Sequence, residues 1–447
     1  RRCKMEQQKM PKGFGARGWL LMIYQIIAFI AFTAFTNYPQ NVLYGGNSDV
    51  SMVYTIAIVV GLVVQLIISA NVHKIKNIHA FGLIIGAVAL ALVIPMTLLY
   101  VPLTPSILWL IIYGLEVFTV VLWSTFMIGI LMGQWFPRKK GIVMGIVTFS
   151  FPVANGLLAT FAGWVGSWGV VGAFAPFWGL SVIGWLIGLI FVKDFPEMVG
   201  AYRDNDRSFT PEVAKQMMEQ DIENRKTTVW RLGKTLGTGD FWLLTIPSGL
   251  LLAFSVGMMT QTMSVLGSQE LTASNFTLVQ WLICVCGILG SYFLGVIDQK
   301  IGTKKSMIIA CCVMVVAGGL GMVNSGACLL AAMLLLALFM GASSNYTVSL
   351  AAQYWRREDF PSVFAAVNPI ANAIQAAGPF VITLLLRPEF AAEGKAPVML
   401  DFLAVGIAGV VGVILCALFS AKRVAKRDNM LREKAGKPVD DALAGRL

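Results

Sequence analysis

A succession of apolar runs, each about the length of a helix that crosses a membrane, limits what this chain can fold into. Such windows fall at 19–43, 50–70, 78–100, 106–133, 141–163, 170–192, 241–266, 275–297, 305–323, 327–350, 361–386 and 400–421, twelve in all. They are too long for barrel strands and lack period-2 alternation, so the expectation is an all-α integral membrane protein. Composition agrees: 57% of residues are hydrophobic and 13% charged, and the mean hydropathy of +0.75 excludes a soluble globular domain. Pro95, Pro152, Pro247 and Pro369 fall inside the runs. Membrane helices tolerate them because neighbours re-satisfy the backbone.

The net charge of +11 would suit nucleic acid if it formed one patch. It does not. Lys and Arg collect in alternate connections: the N-terminal tail, Lys74 and Lys76, Arg138 to Lys140, the 193–239 segment, Lys300 to Lys305, Arg356-Arg357 and the tail at 422–427. Connections 101–105, 164–169 and 324–326 carry none. Arg387 and Lys395 are the exception, accompanied by Glu389 and Glu393. The positive-inside rule then places both termini and the 193–239 segment in the cytoplasm, with a bacterial inner (plasma) membrane as the expected location. The basic start of the chain reads as a cytoplasmic tail rather than a signal peptide.

This divides the chain into a tail (1–18), a first six-helix bundle (19–192), a linker (193–239), a second bundle (240–421) and a second tail (422–447). In the linker, Thr210 can cap a helix with Pro211 at its first position, and Val213, Met217 and Asp221 trace one face. Either an inter-domain surface helix or a solvated linker with helical propensity fits. Cysteines lie mostly within apolar runs, which argues for free thiols. His73 and His79 sit in one connection, and the sequence has no Walker loop, no nucleophile–base arrangement and no metal-ligand spacing. Neither an enzyme, nor a metal, nor a cofactor is expected.

The halves echo one another. "GQWFPRKKGIVMG" at 133–145 returns as "AQYWRREDFPSVF" at 352–364, and "SANVHKIKNIHA" at 69–80 stands where "GVIDQKIGTKKS" stands in the second half. Repeats of this kind mark transporters built from paired bundles. Gly295, Asp298, Gly302, Lys304 and Lys305 resemble the G-x-x-x-D-x-x-G-r/k-k/r signature of the major facilitator superfamily in its second-half copy. In the first half the signature has decayed, with Ser69 and Val72 at the Gly and Asp positions. The resemblance implies two pseudo-symmetric six-helix bundles and a latch on the cytoplasmic side, to which Arg138 and Arg357 would belong. Within the superfamily, residues 124–156, 241–244 and 353–373 resemble the oxalate:formate antiporter and monocarboxylate transporter branch.

Polar side chains inside a bilayer are costly and so invite a functional reading. Asn368, Asn372 and Gln375 share one helical stripe, as do Asn345, Ser349 and Gln353. Gln25 and Asn37 in the first span, with Asn155, Gln261 and Gln280, add amides from other spans. The stripes either converge on a wet central cavity or glue helices to one another. Tyr24, Trp123, Trp281 and Tyr346 are candidate aromatic walls. Glu116 stands in mid-span with no evident cation beside it and is the candidate proton carrier.

No Lys or Arg lies deep in a span, whereas the resembled branch typically holds its carboxylate with basic residues in the eighth and eleventh. A dianion would lack its counter-charge. The expectation is a secondary transporter that moves a small, monocarboxylate-like organic acid or similar metabolite by alternating access with a proton. The alternatives are an antiporter or facilitator of a neutral or weakly polar organic molecule, or a transport-dead membrane sensor. The expected partners are a small-molecule substrate, a proton and the lipid bilayer, not nucleic acid, with the chain acting as a monomer.

Overall fold

A computed structural model describes residues 12–437, except 45–46, 72–74, 76, 227, 261, 267–274, 324, 341, 357 and 386–397, together with residue 439. The expected histidine His73, signature position Val72, amide Gln261, basic Arg357 and the loop carrying Arg387 and Lys395 lie outside the described residues.

The first half contains α1 (Ala16–Tyr38), α2 (Ser48–Asn71), α3 (Ile78–Leu98) and α4, which runs from Ile107–Val121 through a π-helical stretch, Leu122–Met127, into Ile128–Trp135. Next come α5 (Lys140–Val147 and Ser150–Gly156, continuing into Leu158–Phe191) and α6, the part of Leu158–Phe191 beyond a kink at Gly169, where φ is 70°. The surface helix α7 (Pro211–Lys226) follows. The second half contains α8 (Gly239–Thr260, extended by Thr262–Leu266), α9 (Phe276–Ile301), α10 (Thr303–Gly321), α11 (Gly326–Leu338 and Ala342–Tyr354), α12 (Phe360–Leu385) and α13 (Val398–Leu418). Helix α14 (Ala421–Lys434) closes the described chain.

Each apolar window of the sequence coincides with one of these rods. Among the described residues, nine helices are long and apolar enough to cross a membrane. Three further rods, α2, α5 and α12, complete the set of twelve. Helix α7 forms where Thr210 and Pro211 were expected to start it, which fits both the surface helix and the solvated linker with helical propensity.

The halves pack within themselves, α1 on α5 and α6, α3 on α4, α8 on α12 and α10 on α13. They meet along two symmetry-related seams, α2 with α12 and α5 with α9. Without a hydrophobic drive between helices in lipid, close contact of small residues is what holds such seams. On α5 and α9 the backbones nearly touch: a Cβ on Gly141 would lie 2.8 Å from the Gly295 carbonyl, and one on Gly145 would lie 2.7 Å from that of Ser291.

Both described ends lie on one side, here called the terminal side. Gly13 accepts a hydrogen bond from Lys139, Lys140 Nζ donates to the Ser349 carbonyl at 2.8 Å, and Lys304 Nζ donates to that of Phe419 at 2.8 Å. Carboxylates cap helix starts there, where unsatisfied N–H groups and the dipole favour an anion. Asp194 accepts from Ile78 N and His79 N at 3.1 and 2.7 Å, while Asp204 accepts from Arg138 N and Lys139 N at 3.1 and 3.0 Å. His79 is therefore not a loop residue: it is buried in the first turn of α3, with Nε2 2.9 Å from the Gly188 carbonyl.

The buried face of α14 fixes the start of α12. Arg432 Nη2 donates to Asp359 Oδ2 at 2.7 Å and to Glu358 Oε1 at 3.0 Å, and Asp428 accepts from Arg356 at 2.9 Å and from Trp230 Nε1 at 2.8 Å. Thr228 Oγ1 donates to Asp359 at 2.5 Å. Burial pushes the Asp359 carboxyl up to about 6.

Candidate functional site

A cavity of about 1140 Å³, its mouth included, lies between the halves. It is lined from α1, α2, α4 and α5 on one wall and from α8, α11 and α12 on the other. Among the described residues, none of the lining is Lys, Arg, His, Asp or Glu, and five are amides: Asn37, Asn155, Asn368, Asn372 and Gln375.

These five were all anticipated, and the α12 stripe is present in full. The other expected residues that the structure describes lie elsewhere. Tyr24 and Trp123 are buried in the first half, where Trp123 Nε1 donates to the Tyr24 hydroxyl at 2.7 Å. Gln25 donates to the Ser124 carbonyl at 2.9 Å, which ties α1 to the π-helical stretch of α4. Tyr346 is buried with its hydroxyl 2.9 Å from that of Ser306. Trp281 is 43% exposed with its ring edge near Gly156 of α5, and neither it nor Gln280 beside it is part of the described lining. Asn345 accepts from Thr148 Oγ1 at 2.9 Å, joining α11 to α5 across the halves.

The sequence reading passed over Tyr54, Phe29, Phe32, Phe151, Thr125, Ser344 and Thr347, all of which line the cavity. The spacing of Tyr54 and Ile58, one turn apart on α2, was the available signal. In α4 the π-helical stretch bears Thr125 on the cavity; such single turns recur at functional sites.

Glu116 is fully buried in α4, neither carboxyl oxygen has a hydrogen-bond partner among the described residues, and the residue is not part of the described lining. Asp401, in the first turn of α13, is a second buried acid of this kind that the sequence reading did not single out.

On the terminal side the cavity is sealed. Phe360 and Phe364 of α12 stack on each other at 5.5 Å and press into Gly133 and Gly129 of α4. Asn368 Nδ2 reaches Gln65 Oε1 at 3.5 Å across the α2–α12 seam. Below this layer the signature residues gather. Asp298 is buried, its Oδ2 2.8 Å from where a Cβ on Gly141 would stand, at the start of α5. Gln299 Nε2 donates to the Arg138 carbonyl at 2.6 Å, while its Oε1 accepts from Gly141 N at 3.2 Å. Gly302 has a φ of 88° at the turn, where Thr303 N donates to Gln353 Oε1 at 2.7 Å. Lys304 closes the end of α13 through the Phe419 carbonyl and Lys305 is exposed. Arg138 pairs with Asp206 at 3.2 Å.

The arrangement is a mainly apolar chamber studded with amides, without a charged side chain among the described lining residues, between two helical bodies and closed at one end by contacts that join them. No curated protein matches the sequence. Among solved structures, the chain is similar to the proton:xylose symporter XylE bound to 6-bromo-6-deoxy-D-glucose, with a TM-score of 0.66 at 12% identity over 89% of this chain and 94% of that one. It is also similar to the human organic anion transporter MFSD10 (TETRAN), with a TM-score of 0.62 at 12% identity over 89% and 98%. At such identities the likeness is one of fold. The family model described as Major Facilitator Superfamily matches residues 123–379, more than half of the sequence, and the chain belongs to that superfamily.

Proposed function

We propose that this protein is a secondary transporter that carries a small organic solute in uncharged form by alternating access, coupled to a proton through Glu116. The uncharged lining carries the reading. A bare carboxylate would leave its hydration without meeting a cation, whereas a neutral molecule, or an organic acid that enters with its proton, meets amides. The buried, unpartnered carboxyl of Glu116 supports coupling. The basic terminal side supports a cytoplasmic location for both ends. Asp298 is proposed as the latch of that side, holding the start of α5 while the chamber is sealed below.

A second reading, a passive facilitator or exchanger, is favoured by the position of Glu116 outside the cavity lining. Cysteine labelling separates the two. In a cysteine-free background, Ser349→Cys reports the sealed terminal side and Asn37→Cys the cavity. Alternating access predicts that their maleimide labelling shifts in opposite directions, and parallel labelling under all conditions would sink it. Proton coupling predicts that a pH step shifts this balance in the wild type and not in Glu116→Gln. A wild type indifferent to pH would leave the facilitator.

A further inference from the structure

The two walls of the cavity differ in what they offer a ligand. On the first-half wall three polar groups are spent on their own helices: Thr33 Oγ1 donates to the Phe29 carbonyl at 3.2 Å, Thr125 Oγ1 to that of Val121 at 2.8 Å, and Asn155 Nδ2 to that of Phe151 at 2.9 Å. The same wall presents rings. Phe29 and Phe151 lie 4.5 Å apart at 31°, and Phe32 meets Phe151 edge-on at 6.1 Å and 89°.

On the second-half wall, Asn372 and Gln375 make no hydrogen bond to the described residues, while each carries two donors and an acceptor into the cavity. The second-half wall thus offers two amides with free capacity, and the first-half wall an aromatic surface beside Asn37 and Tyr54. Most of the described lining is apolar, so a solute with hydroxyls all round would leave some of them unpaired, which costs more than the bonds gained. A flat ring fits there with offset or edge-on geometry. Its polar end has to both give and accept hydrogen bonds, as a carboxamide or a protonated carboxyl does.

We infer that the cavity takes an uncharged ring compound whose apolar face packs on Phe29, Phe32 and Phe151 and whose planar carboxamide or carboxylic acid group bonds Asn372 and Gln375. This assignment rests on the transport reading above and sharpens it to a substrate class.

Isothermal titration of the purified, full-length protein tests it with four probes. Benzamide has the ring and the neutral polar end, acetamide lacks the ring, benzoate at neutral pH is the charged counterpart, and glucose is the polyol. Benzamide should bind at least about tenfold more tightly than each of the others, roughly the worth of one buried ring contact. Phe151→Ala should weaken benzamide about tenfold and leave acetamide unchanged, and Gln375→Leu should weaken both. Benzamide no tighter than acetamide, or glucose tighter than benzamide, would overturn the assignment, and the wild-type comparison decides this even if a variant fails to fold. The cysteine-labelling experiment stands apart from these titrations, so the substrate class can fall while alternating access survives.

Discussion

A Cβ on Gly133 of α4 would stand 2.0 Å from the Phe360 ring of α12, so the ring occupies the space any larger residue there would need. The two residues belong to different halves, and their contact is part of what seals the terminal side in this structure. Phe364 repeats the arrangement one turn on, 2.8 Å from a Cβ on Gly129.

Gly133→Ala should therefore prop the terminal side open. Overpacking of this kind costs about 1–3 kcal/mol, which moves a two-state ratio by roughly five- to a hundredfold. Faster labelling of Ser349→Cys in the Gly133→Ala background is the expected readout, and a rate equal to that of the parent would remove the aromatic plug from the gate.

Replacing Arg432 with Ala should destabilise the protein more than any exposed arginine does. It strips Asp359 of its buried cationic partner and leaves Asp428 with Arg356 alone, and breaking one side of a buried ion pair costs about 3–5 kcal/mol. Thermal unfolding in detergent checks this, with the exposed Lys305→Ala as the reference.

Stability should also fall with rising pH at the same cluster. The Asp359 carboxyl is raised from 3.8 to about 6, so its contribution is complete below the lower value and is lost as pH passes the higher one. The loss between about pH 4 and about pH 7 is on the order of 3 kcal/mol at most. Asp359→Asn should flatten this part of the curve, and a variant with the slope of the wild type would place the titration elsewhere.

A thermal-shift screen of small organic molecules should give ligands whose stabilisation is lost in Asn372→Ala and kept in Gln280→Ala. One lies on the cavity and the other does not. Loss of one or two hydrogen bonds corresponds to about tenfold in affinity. An undiminished shift in Asn372→Ala would remove that residue from the site.

The twelve rods were legible because each run of apolar residues fills a bilayer, a constraint that needs no partner to be read. The stripe of Asn368, Asn372 and Gln375 was legible for a related reason: helical spacing puts the three on one face. Which face meets water was not legible for single residues. Tyr24 and Trp123 look as suited to a cavity wall as Tyr54 does, but the first two satisfy each other between α1 and α4. The fit of Phe360 into Gly133 depends on two segments far apart in sequence, and no local pattern announces it. Asp401 could have been noticed as an acid inside an apolar run.

The connection between the halves has little slack. Asp194 and Asp204 fasten its beginning to α3 and α5, Arg203 holds Asp221 at 3.0 Å, and from Thr228 onward the chain is bound to Asp359 and Asp428. Any rocking of one half against the other has to be absorbed between Asp221 and Thr228, or by rupture of one of these ties. The stretch is thus a short tether whose length sets how far the terminal side can gape.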